Sequence, residues 1–255
     1  MSRWSADPLR IALVPGEAAL LRTRGTPASR VLAADEPSAA SLLPLLDEAL
    51  ADPDWRSRGV EVVLSQHFVR HVLTPPPGKA LSQAEERALV MASLHEIYGD
   101  EAQKWKVQVI SQPPQLGLVG AAVDAAFAQQ LDALLARHGF RDVTIRPLAS
   151  FAAPRLPGKP AGWWALLEPG WLSLFGVADG RWRHYSGQPI GDDWAEALPD
   201  LVEREAELTA LPLPSVVWLQ AVGSGAVAKP ASGSQRWEVL PCDTKARGAL
   251  ALAGI

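Results

Sequence analysis

The chain has 255 residues, 48% of them hydrophobic and 20% charged, with a formal net charge of −4. That length supports one large domain or two smaller ones, and the mild, evenly spread acidity excludes the electrostatic footprint of a nucleic-acid-binding protein. A single cysteine, Cys242, excludes a disulfide framework and a four-thiolate zinc site.

The N-terminal stretch Met-Ser-Arg-Trp-Ser-Ala-Asp lacks the apolar core of a signal peptide. Leu116 to Phe127 is interrupted by Asp124 and is too short to cross a bilayer. A soluble, cytoplasmic protein is expected.

In chain order, Ile11 to Val14 is an apolar run, followed by Pro15-Gly16 and a second run, Ala18 to Leu21. Pro-Gly between two short apolar runs is turn chemistry, so a hairpin is predicted, with a third strand from Arg30 to Ala33 after Gly25-Thr26-Pro27. Ser41 to Leu50 has helical spacing of Leu, with Ser38 or Ser41 as N-cap, and Val60 to Leu64 is a buried strand. Val69 to Leu73 is predicted as a strand ended by Pro75-Pro76-Pro77-Gly78. Ser82-Gln83-Ala84-Glu85 has capping-box spacing and opens a helix that stops at Gly99 after Tyr98. Trp105 to Ile110 and Leu116 to Ala121 are predicted strands, Ala122 to His138 a helix closed by Gly139, and Val143 to Leu148 a further strand.

Ala152 to Gly162 carries Pro154, Pro157, Pro160, Gly158 and Gly162 and predicts an extended linker. The expected division is 1–151, a linker 152–162, and 163–255. The second half repeats the opening of the first: Trp163 to Leu167, Pro169-Gly170, Trp171 to Val177, then Asp179-Gly180 and Trp182 to Ser186, a three-strand meander. Asp192 to Leu208 follows as a helix with Trp194, Leu198, Leu201 and Leu208 on one face. Val216 to Leu219 and Trp237 to Leu240 are strands on either side of a Gly/Ser-rich loop, Gly223 to Ser234. Both halves thus read strand, strand, strand, helix, strand, in a mixed α/β fold with antiparallel hairpins beside at least one parallel strand. Ten residues are Trp, and five of them lie between Trp163 and Trp194. They are expected to fill the core of the second half, with any that face outward or into a cleft available for partner contact.

Catalytic motifs are weak. His67 and His71 on one strand face lie roughly 13 Å apart, too far to share a metal. His95 has no His-Glu-x-x-His setting, Ser65 no nucleophile-elbow setting, and Cys242 no base nearby in sequence. No metal site and no catalytic constellation is expected, and the carboxylate runs read as solvated helix faces or caps.

The duplicated block resembles the actin-like ATPase superfamily, two RNase H-like halves around a cleft. The segment Val60-Glu-Val-Val-Leu-Ser-Gln-His-Phe-Val-Arg-His-Val-Leu-Thr-Pro-Pro-Pro, with Ala84-Glu85-Glu86, Ile97-Tyr98-Gly99 and Trp105, resembles the PilM-type proteins of type IV pili and the cytoplasmic domain of GspL-type proteins of type II secretion. The resemblance spans about Leu9 to Gly223. It implies that each hairpin turn contacts nucleotide phosphates in an active member. Here the turns are Pro15-Gly16-Glu17 and Glu168-Pro169-Gly170. Proline has no N–H to offer a phosphate, no Asp precedes the first glycine, and Trp171 crowds the second turn.

The nucleotide site is therefore expected to be degraded, with no cofactor, ATP with magnesium being the disfavoured alternative. Gly223 and Gly225 stand where an adenosine-binding glycine pair is implied. The implied role is a non-catalytic adaptor holding a short cytoplasmic segment of an inner-membrane partner in a groove between subdomains, with Phe68, Val69, Tyr98, Trp105 and Trp171 as its lining. A working ATPase using Glu17 or Glu168 is the alternative. A nuclease is disfavoured, since the first hairpin supplies only Glu17 where several carboxylates must converge on metals.

Overall fold

The computed structural model describes residues 8–23, 26–157, 161–209, 215–224, 229–230, 235–242 and 245–254. Strands β1 (Leu9–Val14) and β2 (Glu17–Arg22) form the first hairpin, and β3 (Ala28–Ala33) extends it antiparallel. Pro15 presets its own φ, and Gly16 takes a φ of +74°, which a side chain resists. Helix α1 (Leu42–Leu50) returns the chain so that β4 (Gly59–Leu64) lies parallel to β1. Strand β8 (Asp142–Pro147) adds parallel to β4, giving the order β3-β2-β1-β4-β8.

The second half repeats this. Strands β9 (Gly162–Glu168), β10 (Trp171–Ala178) and β11 (Arg181–Pro189) form the meander, and α5 (Trp194–Thr209) leads to β12 (Val216–Ala221). With β13 (Arg236–Val239) the order is β11-β10-β9-β12-β13, the same path as the first sheet.

Both sheets are covered on both faces, which is why their central strands read as continuous apolar runs. In the first, Ile11, Leu13, Leu20 and Val62 pack on one side with α1 and α3 (Ala125–Arg137). In the second, Trp163, Leu172, Leu174 and Leu219 pack with α5. The opposite faces share one core. Ala12, Ala19 and Val63 of the first sheet meet Trp164, Leu166, Phe175 and Trp218 of the second through two short helices, α4 (Leu148–Ala152) and α6 (Gly248–Gly254). Helix α6, which follows the second sheet in sequence, packs on β1 and β2. Arg10 Nη1 donates to the Ala253 carbonyl at 2.6 Å.

Between β4 and β8 the chain builds a third unit. Strands β5 (Arg70–Leu73), β6 (Trp105–Ile110) and β7 (Val119–Asp124) form an antiparallel sheet in the order β5-β7-β6. Helix α2 (Gln83–Tyr98) lies over it and presses on β7 at Gly120, where a Cβ would collide with Val90 and come within 2.8 Å of Val72. The Ser82 capping box and the stop at Gly99 are present as expected.

Several boundaries differ from expectation. Strand β7 begins at Val119 rather than Leu116, and α3 begins at Ala125 rather than Ala122. Ala121 and Ala122 are equally apolar in strand or helix, and Asp124 decides the border by accepting the Phe127 N–H at 2.7 Å. The expected linker is not extended throughout: Ala152 ends α4, Ala153–Arg155 makes a 3-10 turn, and Leu156 resumes extended geometry. Ser41 makes no side-chain cap; its own N–H donates to Ser38 Oγ at 3.0 Å. Leu208 does not join the buried face of α5, which runs through Leu198, Val202 and Ala206, and stands 74% exposed.

Candidate functional site

The glutamates that flank the two Pro-Gly turns, Glu17 and Glu168, are both bound to protein groups brought in from elsewhere in the chain. At the first, Glu17 Oε1 accepts the Ala249 N–H of α6 at 2.7 Å, and the carboxylate lies so close to Gly248 that a Cβ there would collide with it. At the second, the Glu168 carboxyl is buried against the end of β4. It accepts the Gln66 N–H at 2.8 Å and a bond from Ser65. Burial pushes its pKa up to about 7, against the lowering effect of those two hydrogen bonds.

Pro169 and Gly170 lie beside His67, whose Nε2 is 3.0 Å from the Pro169 carbonyl. The His67 ring is tilted against Trp171 at 5.5 Å, and the Arg70 guanidinium sits 5.8 Å from the Trp171 ring. Gly223, at φ +82°, is pinned between these segments: a Cβ would lie 3.3 Å from the Gly248 nitrogen and 3.5 Å from Pro169 Cδ. Gly225, its expected companion, lies outside the described residues.

Gln66, fully buried, bridges the halves. Its amide lies 3.4 Å from each of Ser173 Oγ, His71 Nε2 and the Ala149 N–H. His71 is enclosed by Phe175, Trp182 and Tyr185 at centroid distances of 6.5, 5.7 and 5.2 Å. Burial drives its pKa down to about 4 and that of Tyr185 up to about 12. Ser65 and Gln66, the partners of Glu168, carry no motif in the sequence. The available signal was a polar pair directly after a buried apolar strand.

The five residues expected to line a groove border different hollows, although the Tyr98 and Trp105 rings meet edge to face at 5.0 Å. Val69 lines a hollow of about 310 Å³ between the first sheet and the third, walled by Leu64, Ile145 and Pro147 on one side and by Val107, Ala121 and Val123 on the other. Phe68 and Trp105 line an adjoining hollow of about 190 Å³, which also includes Val123. Tyr98 borders a larger groove on the far side of the third sheet, while Trp171 sits at the junction turn. The first hollow lies between β8 and β6, both edge strands, with Val143 and Ile110 exposed on them.

The Trp cluster divides as alternation requires. Trp163 and Trp164 are fully buried on opposite sheet faces, Trp182 and Trp194 are partly buried, and Trp171 and Trp182 meet the first half through His67 and His71. No group of three metal-ligating side chains occurs among the described residues. No helix among them is long and apolar enough to cross a membrane.

No protein-family model and no curated protein matches the chain. Solved structures do. The cytoplasmic domain of EpsL, an inner-membrane component of the type II secretion system of Vibrio cholerae, matches over 96% of this chain and 92% of its own, with 17% identity and a TM-score of 0.55. The PilM–PilN type IV pilus biogenesis complex matches over 85% and 82%, with 17% identity and a TM-score of 0.56. An actin-like ATPase fold protein of unknown function from Bacteroides thetaiotaomicron matches over 89% and 86%, with 9% identity and a TM-score of 0.54. With two sheets of identical path, joined through α4 and α6 and carrying a third unit in the first half, this chain has the actin-like ATPase fold and is similar in its arrangement to the EpsL cytoplasmic domain and the PilM–PilN structure.

Proposed function

We propose that the chain is a non-catalytic adaptor of a bacterial type II secretion or type IV pilus assembly, cytoplasmic and held at the inner membrane by a partner. The observation that carries the non-catalytic reading is the engagement of both turns by protein groups. Glu17 is committed to α6, and Glu168 to Ser65 and Gln66. A phosphate at either turn has to displace a buried or part-buried hydrogen bond, and prolines at both turns remove an N–H donor.

The partner's cytoplasmic segment lies extended in the hollow between β8 and β6. Two edge strands offer backbone groups there, over an apolar floor that includes Val69. Calorimetric titration of ATP with magnesium tests the first point: no saturable heat is expected, and micromolar affinity restores the alternative of a working ATPase. Purification of the tagged chain from its native cell tests the second. A single-helix inner-membrane assembly protein is expected to accompany it and to be lost in Ile145→Asp.

A further inference from the structure

The third sheet has a second flank. Its other edge, β5, packs against β11, the edge of the second sheet, and a groove of about 930 Å³ runs along this contact. Two of the most exposed large apolar side chains of the described residues border it, Ile97 at 59% and Leu208 at 74% exposure. Neither is covered by the fold, and both belong to helix ends, α2 and α5, that flank the groove.

The charge of the lining is one-sided. Arg183 is its only permanently charged side chain, and no carboxylate lines it among the described residues, in a chain of net charge −4. Arg183 has weak local company: Asp179 is 4.0 Å from Nη2, and buried Nε has no partner among the described residues. His184 is already bound to Glu205 at 2.9 Å.

The β11 edge also shows how a guest pairs with it. The Gln112 side-chain amide donates to the Trp182 carbonyl and accepts the Trp182 N–H, both at 3.1 Å, as a neighbouring strand does.

We propose that this groove is a second docking site, which takes an extended protein segment carrying a carboxylate for Arg183 and an apolar side chain for the space between Ile97 and Leu208. The segment lies along the β11 edge beyond Gln112. The two grooves then flank opposite edges of one small sheet, so the third unit is the wall between two bound segments. This inference stands without the first groove.

The test uses the full chain and three labelled synthetic peptides with the same alternating Val and Leu positions, the intervening residues being Glu, Lys or Ser. Fluorescence anisotropy is expected to show saturable binding of the Glu peptide and at least about tenfold weaker binding of the other two. Arg183→Gln is expected to weaken the Glu peptide by about tenfold, and Ile145→Asp to leave it unchanged. Leu208→Glu at its exposed position keeps the fold and weakens the Glu peptide, while Leu208→Lys strengthens it. Equal binding of the three peptides, no saturable binding of the Glu peptide, or indifference to the Leu208 charge overturns the proposal. Loss of binding in Ile145→Asp but not in the Leu208 variants moves the segment to the first groove and overturns it equally.

Discussion

The Glu168 carboxylate accepts the Gln66 N–H at 2.8 Å, tying the first turn of the second half to the strand end of the first, 102 positions away in sequence. The bond is fully buried, so its strength depends on the charge the carboxyl carries.

Glu168 makes the protein less stable as pH rises. Burial raises its pKa from the ordinary 4.5 to about 7 in the folded state, so the folded state holds a proton that the unfolded state has lost. Stability from this group is complete below about pH 4.5 and declines up to about pH 7, by at most about 3 kcal/mol. Glu168→Gln keeps an acceptor for Gln66 and is expected to remove this contribution, so that the variant gains stability relative to the native protein between about pH 5 and about pH 8. Urea unfolding of both proteins at about pH 5 and about pH 8 measures it.

His71 acts in the opposite sense. Its pKa falls from 6.5 to about 4 on burial, so the unfolded state takes up a proton first and stability drops as pH falls below about 6.5. Over the range shared with Glu168 the two slopes largely cancel in the native protein. His71→Gln is expected to unmask the Glu168 decline as a continuous loss of stability from about pH 5 to about pH 7. A flat profile in that variant contradicts the assignment.

Gly120→Ala is expected to cost about 1–3 kcal/mol, because the added methyl meets Val90 of α2 and Val72 of β5. Thermal melting reads the loss. The double variant Gly120→Ala with Val90→Ala is expected to recover part of it, which separates overpacking from an effect of glycine on the unfolded chain.

Glu17→Ala removes the acceptor for the Ala249 N–H. A loss of about 1–2 kcal/mol is expected, with faster amide hydrogen exchange concentrated in Gly248–Gly254. Exchange that rises evenly over the chain instead points to a global effect.

Local chemistry made much of this fold legible. Pro-Gly and Asp-Gly turns marked both hairpins, the Ser82–Glu85 box marked the start of α2, and the repeated block disclosed the two similar sheets. Helices α4 and α6 were not legible, because five and seven residues carry too little periodicity to distinguish them from loop. The site was harder. Pro15, Glu17, Glu168 and Pro169 could be named from their turns, but their partners Ala249, Gln66 and His67 are brought in by tertiary structure alone. Phe68, Val69, Tyr98, Trp105 and Trp171 stand out in the sequence only as apolar or aromatic. That chemistry cannot say that Val69 faces one hollow, Phe68 its neighbour and Tyr98 the far side of the sheet.

Helix α6 has a consequence for how the protein is made. On the ribosome β1 and β2 are complete early, but Ala12 and Ala19 wait for Gly248–Gly254 to complete their cover. Until that helix emerges, the nascent first half keeps part of an apolar sheet face wet, and the contacts that finish it span nearly the whole chain. The two halves share an interior that neither can close alone, so it is completed in one late docking step rather than by two domains folding in turn.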